Sequence, residues 1–373
     1  MKLKNKTLII LLSLGLIACG NQSKENNNQS KEETVATEKT EDNTEAKSED
    51  NSEENNKESE KESEDKNKEE SSEDEDLSHY DVNLAMLKGP TSAGAINMIA
   101  WSNNDDAKFN FHQSVEGAPD AVIPKLVSGE ADVAIIPPNL ASAVYNKSEG
   151  KIKVLAINNL GVLYLVESKD MDINSIDDLV NSGETIYASG KGATPDLAIK
   201  EVLKANGYKE DDLKIEFLAE ASEVAQKMIS GQAKVALLPE PMVTSVLKKS
   251  DGAKVALDIN DLYEKATDSP LISAVLVARS EYLDNIDVDL LLETYRKSIE
   301  AATSDVENTA KLLEEYDIMP AAIGKEALDK LALKYIDGQE MKTMMQKHLE
   351  DLYNSNPQLV GGSLPDDDFY YQK

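Results

Sequence analysis

Four short stretches carry the residues best suited to hold a small polar molecule. They are Lys88-Gly89-Pro90-Thr91-Ser92, Pro137-Pro138-Asn139, Ser189-Gly190-Lys191-Gly192-Ala193-Thr194 and Pro239-Glu240-Pro241. Glycine lets a backbone approach a ligand closely. Each stretch runs into a segment of helical pattern, so unpaired N–H groups and the positive end of a helix dipole would lie behind it. Thr91, Ser92 and Thr194 add hydroxyls and Lys191 adds a charge, which together suit an anionic or polar head group. Glu240 and Asn139 could read an amine or amide, and Tyr164 and Tyr187 could supply an apolar wall. Each has a plainer role as the alternative. Ser and Thr at helix starts serve as N-caps, Lys191 can point to solvent, and tyrosines and Trp101 can be core.

Catalysis finds less support. His79, His112 and His348 are scattered, and no nucleophile–base pair follows from their spacing. The one cysteine, Cys19, makes no internal disulfide and belongs to no metal-ligand pattern. No enzyme activity, cofactor or metal is therefore expected. The net charge is −31 and the only arginines are Arg279 and Arg296, so there is no basic patch for nucleic acid.

Two stretches resemble each other without a gap. Ile123–Pro138 reads IPKLVSGEADVAIIPP, and Ala225–Glu240, 102 residues on, reads AQKMISGQAKVALLPE. Each reads as an amphipathic helix closed at Ser-Gly, where Gly takes the left-handed cap. A short buried strand follows, Val133–Ile136 or Val235–Leu238, and stops at a proline. Upstream, Val82–Leu87 and Thr185–Ala188 read as strands that enter the glycine-bearing turns and then a helix. Each half thus predicts strand, turn, helix, strand, helix, strand, proline turn, helix. Alternation of this kind builds a parallel sheet covered by helices, and ligands of such sheets bind beyond the carboxyl ends of the strands.

The expected fold class is α/β, with two lobes and a cleft between them. Crossings are expected near Asn181-Ser182-Gly183 and near Thr267 to Pro270. The predicted organisation is residues 77–181 for the first part of lobe 1, 182–270 for lobe 2, and 271–373 for the return to lobe 1. Leu271–Ala278 reads as the returning strand, Val288–Met319 and Gly338–Tyr353 as helical, and the tail Val360–Tyr371 as packing on the first lobe.

The N-terminal residues have their own logic. Lys2, Lys4 and Lys6 precede a short apolar run, Leu8–Ile17, and Leu16-Ile17-Ala18-Cys19 matches a bacterial lipobox. Residues 1–18 are therefore expected to be a lipoprotein signal peptide. Cys19 is expected to carry the lipid, with palmitate-type acyl chains that anchor it stably. From Gly20 to Asp76 there are 22 acidic residues against 8 lysines and almost nothing apolar. Such a chain cannot offset its ordering entropy, so residues 19–76 are expected to be a disordered acidic tether. No later apolar run is long enough to span a membrane.

From about Tyr80 to its end the chain resembles the nitrate/sulfonate/taurine and thiamine-precursor group of ABC transporter substrate-binding proteins. The resemblance lies in Lys88–Ser92, in Ser128-Gly129-Glu130-Ala131-Asp132-Val133-Ala134, and in Ala188–Pro195. The closing Leu364–Tyr371 (LPDDDFYY) looks like a subset from Gram-positive anaerobes. The resemblance implies a type II periplasmic-binding-protein fold with a two-strand hinge and a small-molecule solute in the cleft. It implies delivery to a permease with an ATPase, and leaves the solute open between anionic and heteroaromatic classes. With the lipobox it places the protein on the extracytoplasmic face of a Gram-positive-type membrane, as a lipid-anchored monomer. The rival readings are an adhesion or signalling lipoprotein and a biosynthetic enzyme on the same scaffold.

Overall fold

The computed structural model describes residues 79–104 and 106–372. The expected signal peptide, Cys19 and the tether lie outside the described residues. Among the described residues eleven strands make two sheets. The first sheet contains β1 (Tyr80–Leu87), β2 (Phe109–Glu116), β3 (Val133–Ile136), β4 (Ile152–Leu160), β10 (Ile272–Arg279) and β11 (Leu333–Asp337). The second contains β5 (Leu163–Glu167), β6 (Thr185–Ser189), β7 (Lys214–Leu218), β8 (Val235–Pro239) and β9 (Lys254–Asp258).

The internal repeat in the sequence is a repeat in space. The strand orders are β2-β1-β3-β10-β4, with β11 added at the edge, and β7-β6-β8-β5-β9. In each the first three strands are parallel and the fourth runs against them. Even the register repeats. Leu84 and Ala85 face Val133 and Ala134, whereas Ile186 and Tyr187, each 102 residues later, face Val235 and Ala236. Both sheets have an apolar core on each face, which is why Val133–Ile136 and Val235–Leu238 are unbroken apolar runs rather than alternating ones.

The fourth strand of each sheet is the one delivered by a crossing from the other lobe. The return passage runs from the helix Ile259–Thr267 to β10. The first passage differs from expectation. It lies between β4 and β5, at Gly161-Val162, some twenty residues before Asn181-Ser182-Gly183. The polar Asn-Ser-Gly is instead the end of the helix Ile176–Ser182. Gly183 has φ 63° and its N–H bonds to Val180 O. A helix cap and an inter-lobe linker use the same residue types, so composition misplaced the passage. The real one hides inside an apolar run because β4 and β5 are both buried strands.

The segment Val288–Met319 is helical but divided, into Val288–Ser304 and Val306–Glu315. Asp305 ends the first and caps the second through Asn308 N at 3.2 Å. The C-terminal tail packs on the six-stranded lobe. Phe369 is fully buried beside Tyr145, and Tyr371 N bonds to Val154 O on β4 at 2.9 Å.

Candidate functional site

The strand tips of the two sheets face each other across a cleft that holds two cavities. The first, of about 330 Å³, lies against both crossings. Its walls are Pro137, Asn139 and Leu140 with Ser273 from the six-stranded lobe, and Ala193, Thr194, Pro195 and Pro239 from the five-stranded lobe. Gly161, Val162, Leu163 and Leu271, which belong to the crossings, complete it. The second, of about 450 Å³, lies on the other side of Pro239. It is walled by Lys88, Gly89, Pro90, Ile318, Met319, Pro320 and Ile323 from one lobe, and by Ala221, Pro239 to Met242, Ser245 and Lys249 from the other.

Each wall has a local cause. Gly89 turns the chain at φ 108°, where other residues are strained, and the chain then coils tightly over Pro90–Ala95. Two amides on β4 hold this turn. Asn158 Nδ2 donates to Thr91 O at 2.7 Å and to Asn159 Oδ1 at 2.7 Å, and Asn159 Nδ2 donates to Pro90 O at 3.3 Å. Asn158 is fully buried, and its Oδ1 has no partner among the described residues, nor has Thr91 Oγ1. Opposite, Asp196 Oδ2 accepts from Gly192 N at 2.8 Å and closes the glycine turn on its own helix.

Glu240 is a buried acid of the cleft, 1% exposed. It caps the helix Met242–Lys249, accepting from Thr244 N and Thr244 Oγ1 at 3.0 Å each. Burial pushes its carboxyl above the usual carboxylate range, against the opposing pull of those bonds and of Lys330. Lys330 Nζ, from the other lobe, stands 3.9 Å away. Further contacts also bridge the lobes. Lys248 reaches Glu326 at 2.6 Å and Ala322 O at 2.8 Å, and Tyr263 Oη donates to Asp351 at 3.3 Å.

Of the residues expected to bind, Asn139, Ala193 and Thr194 line the first cavity, and Gly89, Pro90 and Glu240 line the second. The others line neither. Ser92 is fully buried and donates to Leu87 O at 2.6 Å, so its hydroxyl serves the turn. Lys191 is exposed, and Ser189, Gly190 and Gly192 build the turn behind the wall. Pro138 is buried as the first residue of its helix. Tyr164 packs on the core of the five-stranded lobe, where burial, and then Asp258 and Glu240, push its hydroxyl up to about 12. Tyr187 lies under Lys227, 4.8 Å from the ring centre, and Trp101 packs on the core of the other lobe.

The crossing residues Gly161, Val162, Leu163, Leu271 and Ser273 were missed. The available signal was a lone glycine inside the apolar run Ile152–Glu167. A Cβ on Gly161 would overlap Asn260 Oδ1 and lie 2.9 Å from Leu271 Cβ, so the two crossings touch here with no room for a side chain. Asn260 binds the first crossing on both edges, taking Leu163 N at 2.9 Å and giving to Leu163 O at 3.1 Å. Among the described residues no group of three or more His, Cys, Asp or Glu could hold a metal ion.

Residues 108–322 match the family model described as "ABC transporter, phosphonate, periplasmic substrate-binding protein". The fold is shared with solved structures. An ABC transporter from Parabacteroides distasonis is 23% identical over 78% of this chain and 99% of its own, with a TM-score of 0.67. The aliphatic sulphonate binding protein SsuA of Escherichia coli is 15% identical over 79% and 93%, with a TM-score of 0.63. The nitrate-binding protein NrtA of Synechocystis PCC 6803 is 12% identical over 76% and 84%, with a TM-score of 0.54. Among curated proteins nothing matches.

Proposed function

The chain belongs to the family of ABC transporter periplasmic substrate-binding proteins, a non-catalytic family of extracytoplasmic solute receptors for import systems, and we propose that it holds its solute in the cavity between Asn139 and Thr194. One observation carries this assignment. The walls of that cavity come from both lobes and from both crossings, so an occupant would touch every part that must move for the cleft to open. Contacts made only when the lobes meet shift the population toward the closed form. The permease and its ATPase then receive a closed receptor.

The working lobes in this reading are the described residues from 79 to 160 with 272–372, and residues 163–267. The sheet membership of β4, β5 and β10 supports that division. Asn139, Ala193 and Thr194 are the wall residues that would touch solute, with Gly89, Pro90 and Glu240 at the cavity beyond Pro239.

The test is a pair of thermal unfolding curves with and without the small molecules released from protein purified out of its own cells. Binding stabilises by RT ln(1 + [L]/Kd). The wild-type midpoint is expected to rise and the Ala193→Trp midpoint to stay fixed. An equal rise in both would remove the solute from this cavity.

Attachment through Cys19, after cleavage of residues 1–18, would hold the receptor at the outer face of the membrane. Residues 19–76 would then give it reach. The lipobox order and the acidic composition support this. Labelled palmitate should enter the wild-type chain and not Cys19→Ala. Equal labelling of both would refute the anchor.

A further inference from the structure

The relatives' names point to phosphonates, sulphonates and nitrate, yet the cavity at the crossings is built against oxyanions. We propose that the solute is uncharged or cationic where it is buried. This deepens the assignment of solute to that cavity and rests on it.

Three observations agree. First, no charged side chain lines the cavity; its polar side chains are Asn139, Thr194 and Ser273. The two arginines of the chain are committed elsewhere, Arg279 to Asp132 and Glu281, and Arg296 to Glu293 and Glu300. Lys191, in the glycine turn that leads to Ala193, is exposed and lines neither cavity, and beyond Pro239 Lys88 pairs with Asp317 while Lys330 faces Glu240.

Second, each helix start at the cleft that would otherwise hold an anion has lost one of its donors. Proline occupies the first or second position of the helices Pro138–Lys147 and Thr194–Ala205 and of the turn Pro90–Ala95. A proline has no N–H to offer. Of the donors that remain on the first helix, Leu140 N and Ala141 N both bond to Pro137 O.

Third, carboxyl groups already occupy two of the positive helix ends. Asp196, 4% exposed, sits in the first turn of Thr194–Ala205 and holds Gly192 N. Its partner Lys200, at 3.3 Å, is shared with Glu210. Glu240 caps Met242–Lys249 through Thr244. A negative charge at a helix N-terminus uses the same dipole that an anionic ligand would need.

The experiment is calorimetric titration of the full chain, wild type and variants, with methylphosphonate, methanesulfonate and nitrate. Wild type is expected to show no saturable binding of any of the three at millimolar concentration. Asp196→Asn keeps an acceptor for Gly192 N and removes the charge; Pro195→Ala restores an N–H. Each is expected to gain methanesulfonate binding by at least tenfold over wild type. Saturable oxyanion binding by wild type that Ala193→Trp abolishes would overturn the solute class and keep the cavity. Oxyanion binding that survives Ala193→Trp would overturn the cavity assignment itself. Failure of both Asp196→Asn and Pro195→Ala to improve binding would overturn the argument from helix ends.

Discussion

Gly161 shows how a single residue sets the hinge. The two crossings approach so closely there that any Cβ meets Asn260 and Leu271. Asn260 cannot yield without releasing the N–H and C=O of Leu163. Gly161→Ala is therefore expected to destabilise the protein by about 1–3 kcal/mol, the usual cost of overpacking. Denaturant unfolding measures this. In an Asn260→Ala background the alanine should cost less, because its main obstacle is gone; strictly additive costs would refute the contact. The sequence displayed Gly161 in plain view, but nothing in a one-dimensional pattern says that two distant crossings meet at it. By contrast the place of Asn139, Ala193 and Thr194 at the cleft was legible, because a strand tip followed by a helix start is a local feature.

At the scale of elements, the last long helix, Gly338–Ser355, carries a buried group that serves no contact. His348 is fully buried, and neither ring nitrogen has a partner among the described residues. Burial holds its pKa down at about 4, with Asp351 pulling weakly the other way. The folded-state pKa is lowered, so the unfolded chain binds the proton first as pH falls. Stability is thus retained above about pH 6.5 and lost as pH drops from there toward 4, by about 3 kcal/mol in all. His348→Leu is expected to flatten the dependence of unfolding free energy on pH in that window. A variant with the wild-type slope would place the titration on another residue. The same helix meets the five-stranded lobe through Asp351 and Tyr263, so the acid loss should reach the contact between lobes. Elements were the scale at which the sequence spoke most clearly. The repeated motif forecast strands, helices and proline stops, and the structure added that even the pairing register repeats. Its failure was at Asn181-Ser182-Gly183, where a cap passed for a linker.

The whole molecule is two copies of one sheet plan, each completed by a strand fed from the other. That exchange makes two crossings rather than one. Chain length alone favours two cores, since about 300 residues follow the acidic stretch. It could not show which charges end up in the cleft. Asp196 looks like a surface acid in a chain of net charge −31, and only folding reveals it, like the candidate Glu240, buried at a helix end.

Opening and closing about these crossings can be read as a distance. Spin labels would be placed at Lys191, exposed on one lobe, and Asp317, 85% exposed on the other, with Cys19 changed to serine. Pulsed dipolar spectroscopy would then be recorded with and without the solute released from native protein. A shorter and narrower distance distribution on saturation is the expected result. A distribution that does not move when the solute is bound would contradict capture by closure.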